Sequence, residues 1–318
     1  MKKKNIVISI LTLLILFLLY FFYEQQRYSV SSPIEDYEYK KAIITESKKL
    51  TYKLENLRSL VGPNELEKII KENDGKPEIY TPSRENVQNG VYSANLHMHT
   101  TNSDGSLPVE FLMNQAQEYA KLKLNGKPFY LAITDHNTVL GAKEVIRVLQ
   151  KYPNKYKNIK VIPGMEIYTG YNTQYSKKPV EIHVLAWCIN PYDKFLNKEF
   201  YKKDLKNKWN RKHPDSDFRE VIEYMSDRSI VGIAHPARYL EKTTDKKAYI
   251  KDLFRTYKSA NKNQILFTEG YYQSNHLVLK PFDDKTKEFL KYINNEAKDF
   301  GIIRTGSTDV HGYSIFRK

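Results

Sequence analysis

The sequence holds a single cysteine, Cys188. No intrachain disulfide can form, so nothing in the fold depends on an oxidising compartment. The residue sits in the apolar run Val184-Leu-Ala-Trp-Cys-Ile189, which predicts a buried structural thiol rather than a metal ligand. There is no internal repeat and no low-complexity segment apart from an N-terminal apolar run. A concentrated stripe of basic and aromatic residues, as nucleic-acid readers carry, is also missing, so a nucleic-acid partner is not favoured. Acids are the scarcer charge: Lys and Arg number 51 against 37 Asp and Glu, a net charge of +14. That excess suits anionic partners such as phosphate esters, anionic lipid, wall polymers or nucleic acid. The lysines are nevertheless scattered over the whole chain, as in a generally lysine-rich composition. The 25 tyrosines could stack on a sugar or nucleobase, but half-buried and surface roles account for most of them.

Long apolar runs are absent except for one. Met1-Lys-Lys-Lys4 precedes the uncharged stretch Ile6–Tyr23, which as a helix would span about 27 Å, close to a bilayer core. Neither an Ala-x-Ala cleavage site nor a lipobox-type cysteine follows it. We therefore expect residues 1–23 to be a retained transmembrane anchor, with residues 6–23 in the membrane. The lysines place the N-terminus inside and the rest of the chain outside the cytoplasm. Residues 24–90 read as a partly helical stalk, including a short helix over Asn64–Asn73 capped by Asn64, with turns at Asp74-Gly-Lys-Pro77 and Thr81-Pro-Ser83.

From residue 91 to 318, strands and helices alternate. Strands are predicted at Val91–His97, Phe129–Thr134, Lys160–Ile167, Val180–Trp187, Ser229–Ala234, Gln264–Glu269 and Gly301–Thr305. Helices are predicted at Leu107–Leu122, Val139–Lys151, much of Phe195–Asp227, Asp245–Ser259 and Asp283–Phe300. This alternation predicts an α/β fold with a parallel barrel, in which functional residues collect at the C-terminal ends of strands.

Metal-competent residues occur at those ends: His97, His99, Asp104, His136, Glu166, His183, His235, Asp309 and His311. They use six of the eight histidines, a concentration that chance scatter would not produce. His97 and His99 alternate by two on a strand and so face one side together. Gly105 is expected to relax the turn that returns the Asp104 carboxylate. Imidazole and carboxylate ligands suit Zn, Mn or Fe. Glu181 should fall on the other face from His183, in a structural role. His213 and His276 have no partner motif.

Six segments carry a family likeness: His97-Met-His99 with Ser103-Asp-Gly105, Thr134-Asp-His136-Asn-Thr138, Pro163-Gly-Met-Glu166, Glu181-Ile-His183, Ala234-His-Pro236 and Gly306-Ser-Thr-Asp-Val-His311. In this order the chain resembles the PHP (polymerase and histidinol phosphatase) family of metal-dependent phosphoesterases, in its Ser-Asp-Gly subgroup. The resemblance implies a distorted (β/α)7 barrel with two or three divalent ions. His97, His99, Glu166 and Asp309 would hold the first ion; Glu166, His183 and His235 the second; Asp104, His136 and His311 the third. Asp104 stands where some members have histidine one residue later.

The expected chemistry is hydrolysis of a small-molecule or polymer phosphate ester by hydroxide bridging the ions. Glu166 would be central to catalysis. Arg238, three residues after His235, would hold the phosphate or could equally be a surface residue, with Arg304 and Arg317 as weaker candidates. Asp135 would orient His136 or a nearby loop, and could equally be a helix cap. One alternative is a metallohydrolase of the same fold acting on a carboxylic ester, carbamate or amide. Another is a non-catalytic polyanion-binding module. The family's polymerase-associated role is disfavoured by the anchor and by the lack of a polymerase segment.

Overall fold

The computed structural model describes residues 57–194, 196, 216–238, 240, 243–272, 284–312 and 314–316. The expected anchor, residues 24–56 of the expected stalk, most of the segment 195–215, His213, His276, residues 273–283 and Arg317 lie outside them. Among the described residues no helix is long and apolar enough to cross a membrane.

Seven strands form one sheet in sequence order: β1 (Ala94–Asn95), β2 (Phe129–Ile133), β3 (Ile159–Tyr171), β4 (Val180–Trp187), β5 (Ile230–Ala234), β6 (Phe267–Tyr272) and β7 (Ile303–Ser307). Past β1 and β7 the ends meet in a parallel bridge between Met98 and Val310, where the His99 N–H donates to the Val310 carbonyl at 3.1 Å. The sheet is thus a nearly closed barrel.

It is not uniformly parallel, as the alternation predicted. β4 runs antiparallel to both β3 and β5. The cause is the length of the connection: residues 172–179 are too few for a crossover helix, which needs a dozen or more, so the chain can only turn back as a hairpin. His183 consequently lies in the first half of β4. It still reaches the rim, because it pairs with Tyr168 on β3 and Ala234 on β5.

Helices Val109–Lys123 (α4), Leu140–Lys151 (α5), Phe218–Met225 (α6), Lys246–Ala260 (α7) and Asp284–Asp299 (α8) follow shorter helices Pro63–Glu72 (α1), Pro77–Tyr80 (α2) and Arg84–Gln88 (α3). In α4 the buried Leu112, Met113, Ala116, Tyr119 and Ala120 repeat at helical spacing and make one inward stripe. Asp217 and Asp245 begin α6 and α7 by accepting two backbone N–H groups each, which satisfies otherwise orphaned donors. The helix expected to be capped by Asn64 starts instead with Pro63 in its first turn, and Gly62 precedes it without a side-chain cap.

Inside the barrel, Leu96, Ala132, Ile162, Leu185, Trp187 and Phe267 form the floor beneath the rim. Trp187 stacks on Phe267 with centroids 4.0 Å apart and donates its indole N–H to the Leu96 carbonyl at 3.0 Å. Gly232 lies against this pair; a Cβ there would come within 2.1 Å of the Phe267 ring.

The packing does not break at residue 90. Val61, Leu66, Ile70 and Tyr80 join the floor cluster, and Leu60 bridges to Val161 near the start of β3. Arg304, a candidate phosphate ligand by sequence, is instead committed to this segment: its Nε and Nη2 donate to the Asp74 carboxylate, each at 3.1 Å. Residues 57–90 are therefore a strap across the base of the barrel, bonded to β3 and β7.

Candidate metal centre

The rim opposite that strap gathers all nine sequence-predicted ligands. His97 and His99 follow β1, with Met98 between them pointing away into a core cluster. His136 follows β2, Glu166 lies in β3, His183 in β4, His235 just past β5, and Asp309 and His311 past β7. Among the described residues five non-glycine positions have positive φ, and three of them, Asn137 (47°), His235 (26°) and Asp309 (45°), lie just past β2, β5 and β7. Such backbone is costly and persists where surroundings enforce it, commonly at functional sites.

In the first group the His97 and His99 Nε2 atoms are 3.0 Å apart. Both face the Glu166 Oε2 atom, at 3.0 and 3.2 Å, and Asp309 Oδ1, at 3.4 and 3.2 Å. The other Glu166 oxygen meets His183 Nδ1 at 2.7 Å and His235 Nε2 at 2.9 Å. His136 turns its Nδ1 to Glu166 Oε2 at 2.8 Å and its Nε2 to Asp104 Oδ2 at 3.6 Å. His311 Nε2 is 3.2 Å from Asp104 Oδ1.

Three sets of donor atoms converge closely enough for an ion: His97, His99, Glu166 and Asp309; His136, Glu166 and His183; and His99, Asp104, His136 and His311. The first is the set the resemblance implied. In the second, His136 takes the place expected of His235; His235 contacts the same Glu166 oxygen as His183, whereas His136 contacts the other. The third gains His99, whose ring stacks on both His136 and His311 at 4.1 Å.

These donors fit cations better than one another. Glu166 Oε2 is fully buried, with three imidazole nitrogens at 2.8, 3.0 and 3.2 Å, yet makes no hydrogen bond of proper geometry. His99 Nδ1 and His136 Nδ1 are likewise buried without a hydrogen bond. Buried polar atoms are rarely left so, and lone pairs converging on one point call for positive charge there. The titration behaviour agrees. Burial would lift Glu166, but His97, His136 and His183 outweigh it and hold the carboxyl far below its usual range. Asp309 is depressed in the same way, chiefly by His97 and His99. Burial would lower His99, but Asp309 and Glu166 push it up to about 10. His97 and His183 are also raised against burial, whereas burial and the His99 charge drop His136 to about 3.

Asp135, expected among the catalytic residues, lies beneath the ligand loop and not among the converging donors. Its carboxylate accepts from Thr100 N (2.7 Å), Thr100 Oγ1 (2.8 Å) and Ser103 Oγ (2.7 Å), fixing the turn that carries Asp104. The neighbouring-loop alternative thus describes its contacts; His136 is not among them. Gly105 does not have positive φ. It is needed because a Cβ would come within 2.2 Å of the His99 carbonyl. Glu181, expected on the far face, lies two residues from His183 and so on the same face of β4, where it bonds His183 Nε2 at 2.9 Å. Arg238 enters the cluster: its Nη1 is 3.1 Å from Asp309 Oδ2 and 3.3 Å from His235 Nε2.

One buried acid at the centre has no motif partner in the sequence. Glu269, in β6, meets His97 Nδ1 at 2.9 Å. Its only sequence signal was its place at the end of the strand predicted for Gln264–Glu269.

The rim of this α/β barrel thus carries three groups of donors that could each hold a metal ion. The PHP domain family matches residues 95–272, more than half of the 318-residue chain, and the chain belongs to that family. The matched stretch ends before Asp309 and His311. No curated protein matches the chain significantly.

Proposed function

We propose that the chain is a metal-dependent phosphoesterase. Family membership supports a metal-dependent hydrolase, and the observation that carries the reading further is Glu166: both of its buried oxygens are surrounded by imidazole nitrogens from different strands. His97, His99 and Asp309, with Glu166, would hold one ion, and His183 and His136, with His235 beside them, a second. Asp104 and His311 would complete a third on the loop of the Ser-Asp-Gly variant. Bound divalent ions supply Lewis acidity and lower the pKa of water to near neutrality.

The chain's own residues do the rest. The apolar floor of Trp187 and Phe267 closes the barrel below the centre, so substrate enters from the rim. Arg238 offers a fixed positive charge beside the Asp309 position, where a phosphoryl group bound at the ions would be clamped. Asp135 holds the Asp104 loop in register.

We propose further that residues 6–23 anchor the protein with its N-terminus inside, so that the barrel acts outside the cytoplasm. The three lysines and the uncharged run support this. Protease accessibility of the barrel on intact cells, against lysed cells, tests it.

The activity test is metal content of the purified protein, with phosphate release from a chromogenic phosphomonoester before and after chelation, and a chromogenic carboxylic ester in parallel. Two or three ions per chain with chelator-sensitive phosphate release support the reading. Turnover of the carboxylic ester alone would replace the substrate class, and absence of bound metal after incubation with Mn or Zn would overturn the reading.

A further inference from the structure

We propose that Glu269 is a positioning residue that sets two histidines of the centre at once, the ligand His97 past β1 and His235, beside the second group, past β5. The inference rests on reading the rim as a metal centre. Glu269 is fully buried and shares the inner face of β6 with Phe267, two residues earlier. Directly after it the pairing of β6 with β7 slips, between Glu269 and Tyr271. A bulge at such a point re-aims the adjoining side chain. Gly270 at the slip is held by the Asn294 amide, which donates to its carbonyl at 3.1 Å and leaves no room for a Cβ. The backbone beneath Glu269 is thus fixed from α8.

Each carboxylate oxygen has its own task. Oε1 accepts from His97 Nδ1 at 2.9 Å. With the proton on Nδ1, His97 Nε2 presents its lone pair to the point where Glu166, His99 and Asp309 converge. Oε2 accepts from the His235 backbone N–H at 2.8 Å, at the residue whose φ of 26° would otherwise be relieved. One acid thereby selects the tautomer of a first-group ligand and pins the backbone of the histidine beside the second group.

Glu269→Gln separates these tasks from mere filling of space. The glutamine is the same size, but only its carbonyl oxygen can accept. Its NH2 must face either His97 Nδ1–H or the His235 N–H, and donating to His97 Nδ1 moves the imidazole proton to Nε2, the atom that should coordinate. Cobalt(II) serves as the probe, titrated into metal-free protein and read by stoichiometry, affinity and the visible absorption bands that report ligand geometry. We expect the tightest cobalt to bind about 10- to 100-fold more weakly in Glu269→Gln, with shifted bands. Cobalt affinity and bands equal to wild type overturn the proposal, even if the variant melts at a lower temperature, because a purely structural role predicts that pattern. Should Glu269→Gln fail to fold, Glu269→Asp is read by the same two signals: one methylene shorter, it keeps the charge but cannot reach both donors, so wild-type cobalt binding there also overturns the inference. If wild type itself binds no cobalt, the metal-centre reading fails, which is a different result from failure of Glu269 alone.

Discussion

Glu166 is the residue on which the rim groups depend most, since its two oxygens face five histidines, His97, His99, His136, His183 and His235. Glu166→Gln keeps the size but places an NH2 where an acceptor is needed. Ion content should fall by more than one ion per chain and residual ion binding should weaken more than about 100-fold, measured by elemental analysis and competition with a chromophoric chelator. Arg238→Ala should instead leave ion content unchanged and lower phosphomonoester kcat/KM by about 100-fold, with Arg238→Lys only partly restoring it, because a point charge cannot reproduce a planar fork. Lys143 belongs to stability rather than chemistry. It is buried in α5, and burial pushes its ammonium down to about 8 from an ordinary 10.5. A depressed lysine costs the fold stability at pH values below its folded pKa, and that cost disappears as pH rises towards the unfolded value. Lys143→Met should therefore be more stable than wild type at pH 7, on the order of 1 kcal/mol, and the difference should close between pH 8 and 10.5; a gap independent of pH would refute this assignment. At this scale the sequence was most legible for the donors themselves, because ion binding restricts the choice to histidine and carboxylate at strand ends. Glu269 was not legible, since an acid that bonds a ligand rather than an ion obeys no spacing rule, and for Asp135 the sequence offered the nearby loop only as one of several alternatives.

Among the elements, β4 shows how direction follows from connection length. The eight residues after β3 could not house a helix, so the reversal was readable from sequence in hindsight, while the strand alternation alone suggested a uniform barrel. The opposite held for α1 to α3. Leu66, Ile70 and Tyr80 are buried in the barrel floor, but short amphipathic helices with the same pattern also occur in free-standing stalks, and only their packing partners decide. The floor makes its own prediction. Gly232→Ala would drive a methyl group into the Phe267 ring and disturb its stack on Trp187, a loss of about 1–3 kcal/mol, seen as a lower unfolding temperature with ion stoichiometry intact. If the variant unfolds at the wild-type temperature, the Phe267 ring has room that its position does not show.

For the whole molecule, the rim couples ions to protons. In the ion-free state, His97, His99 and His183 retain protons against burial because carboxylates surround them. Ions must displace those protons, so uptake should release protons at neutral pH and weaken as pH falls. Calorimetry in two buffers of different ionisation enthalpy checks this, and identical heats in both would exclude proton release. For the ion-free protein the sign is opposite: the stability those protons lend is complete below about pH 6.5 and is lost as pH rises towards the His99 value of about 10. Chelated protein should therefore lose more stability on alkalinisation than loaded protein. The strap has a mechanical consequence. The chain reaches the barrel at Leu60 and Asp74, near the starts of β3 and β7, while the donors gather at the opposite rim, within β3 and β4 or past the ends of β1, β2, β5 and β7. A load applied from the N-terminal side would be borne at the base by the Asp74–Arg304 clamp and the Leu60–Val161 bridge, at the end of the barrel away from the rim.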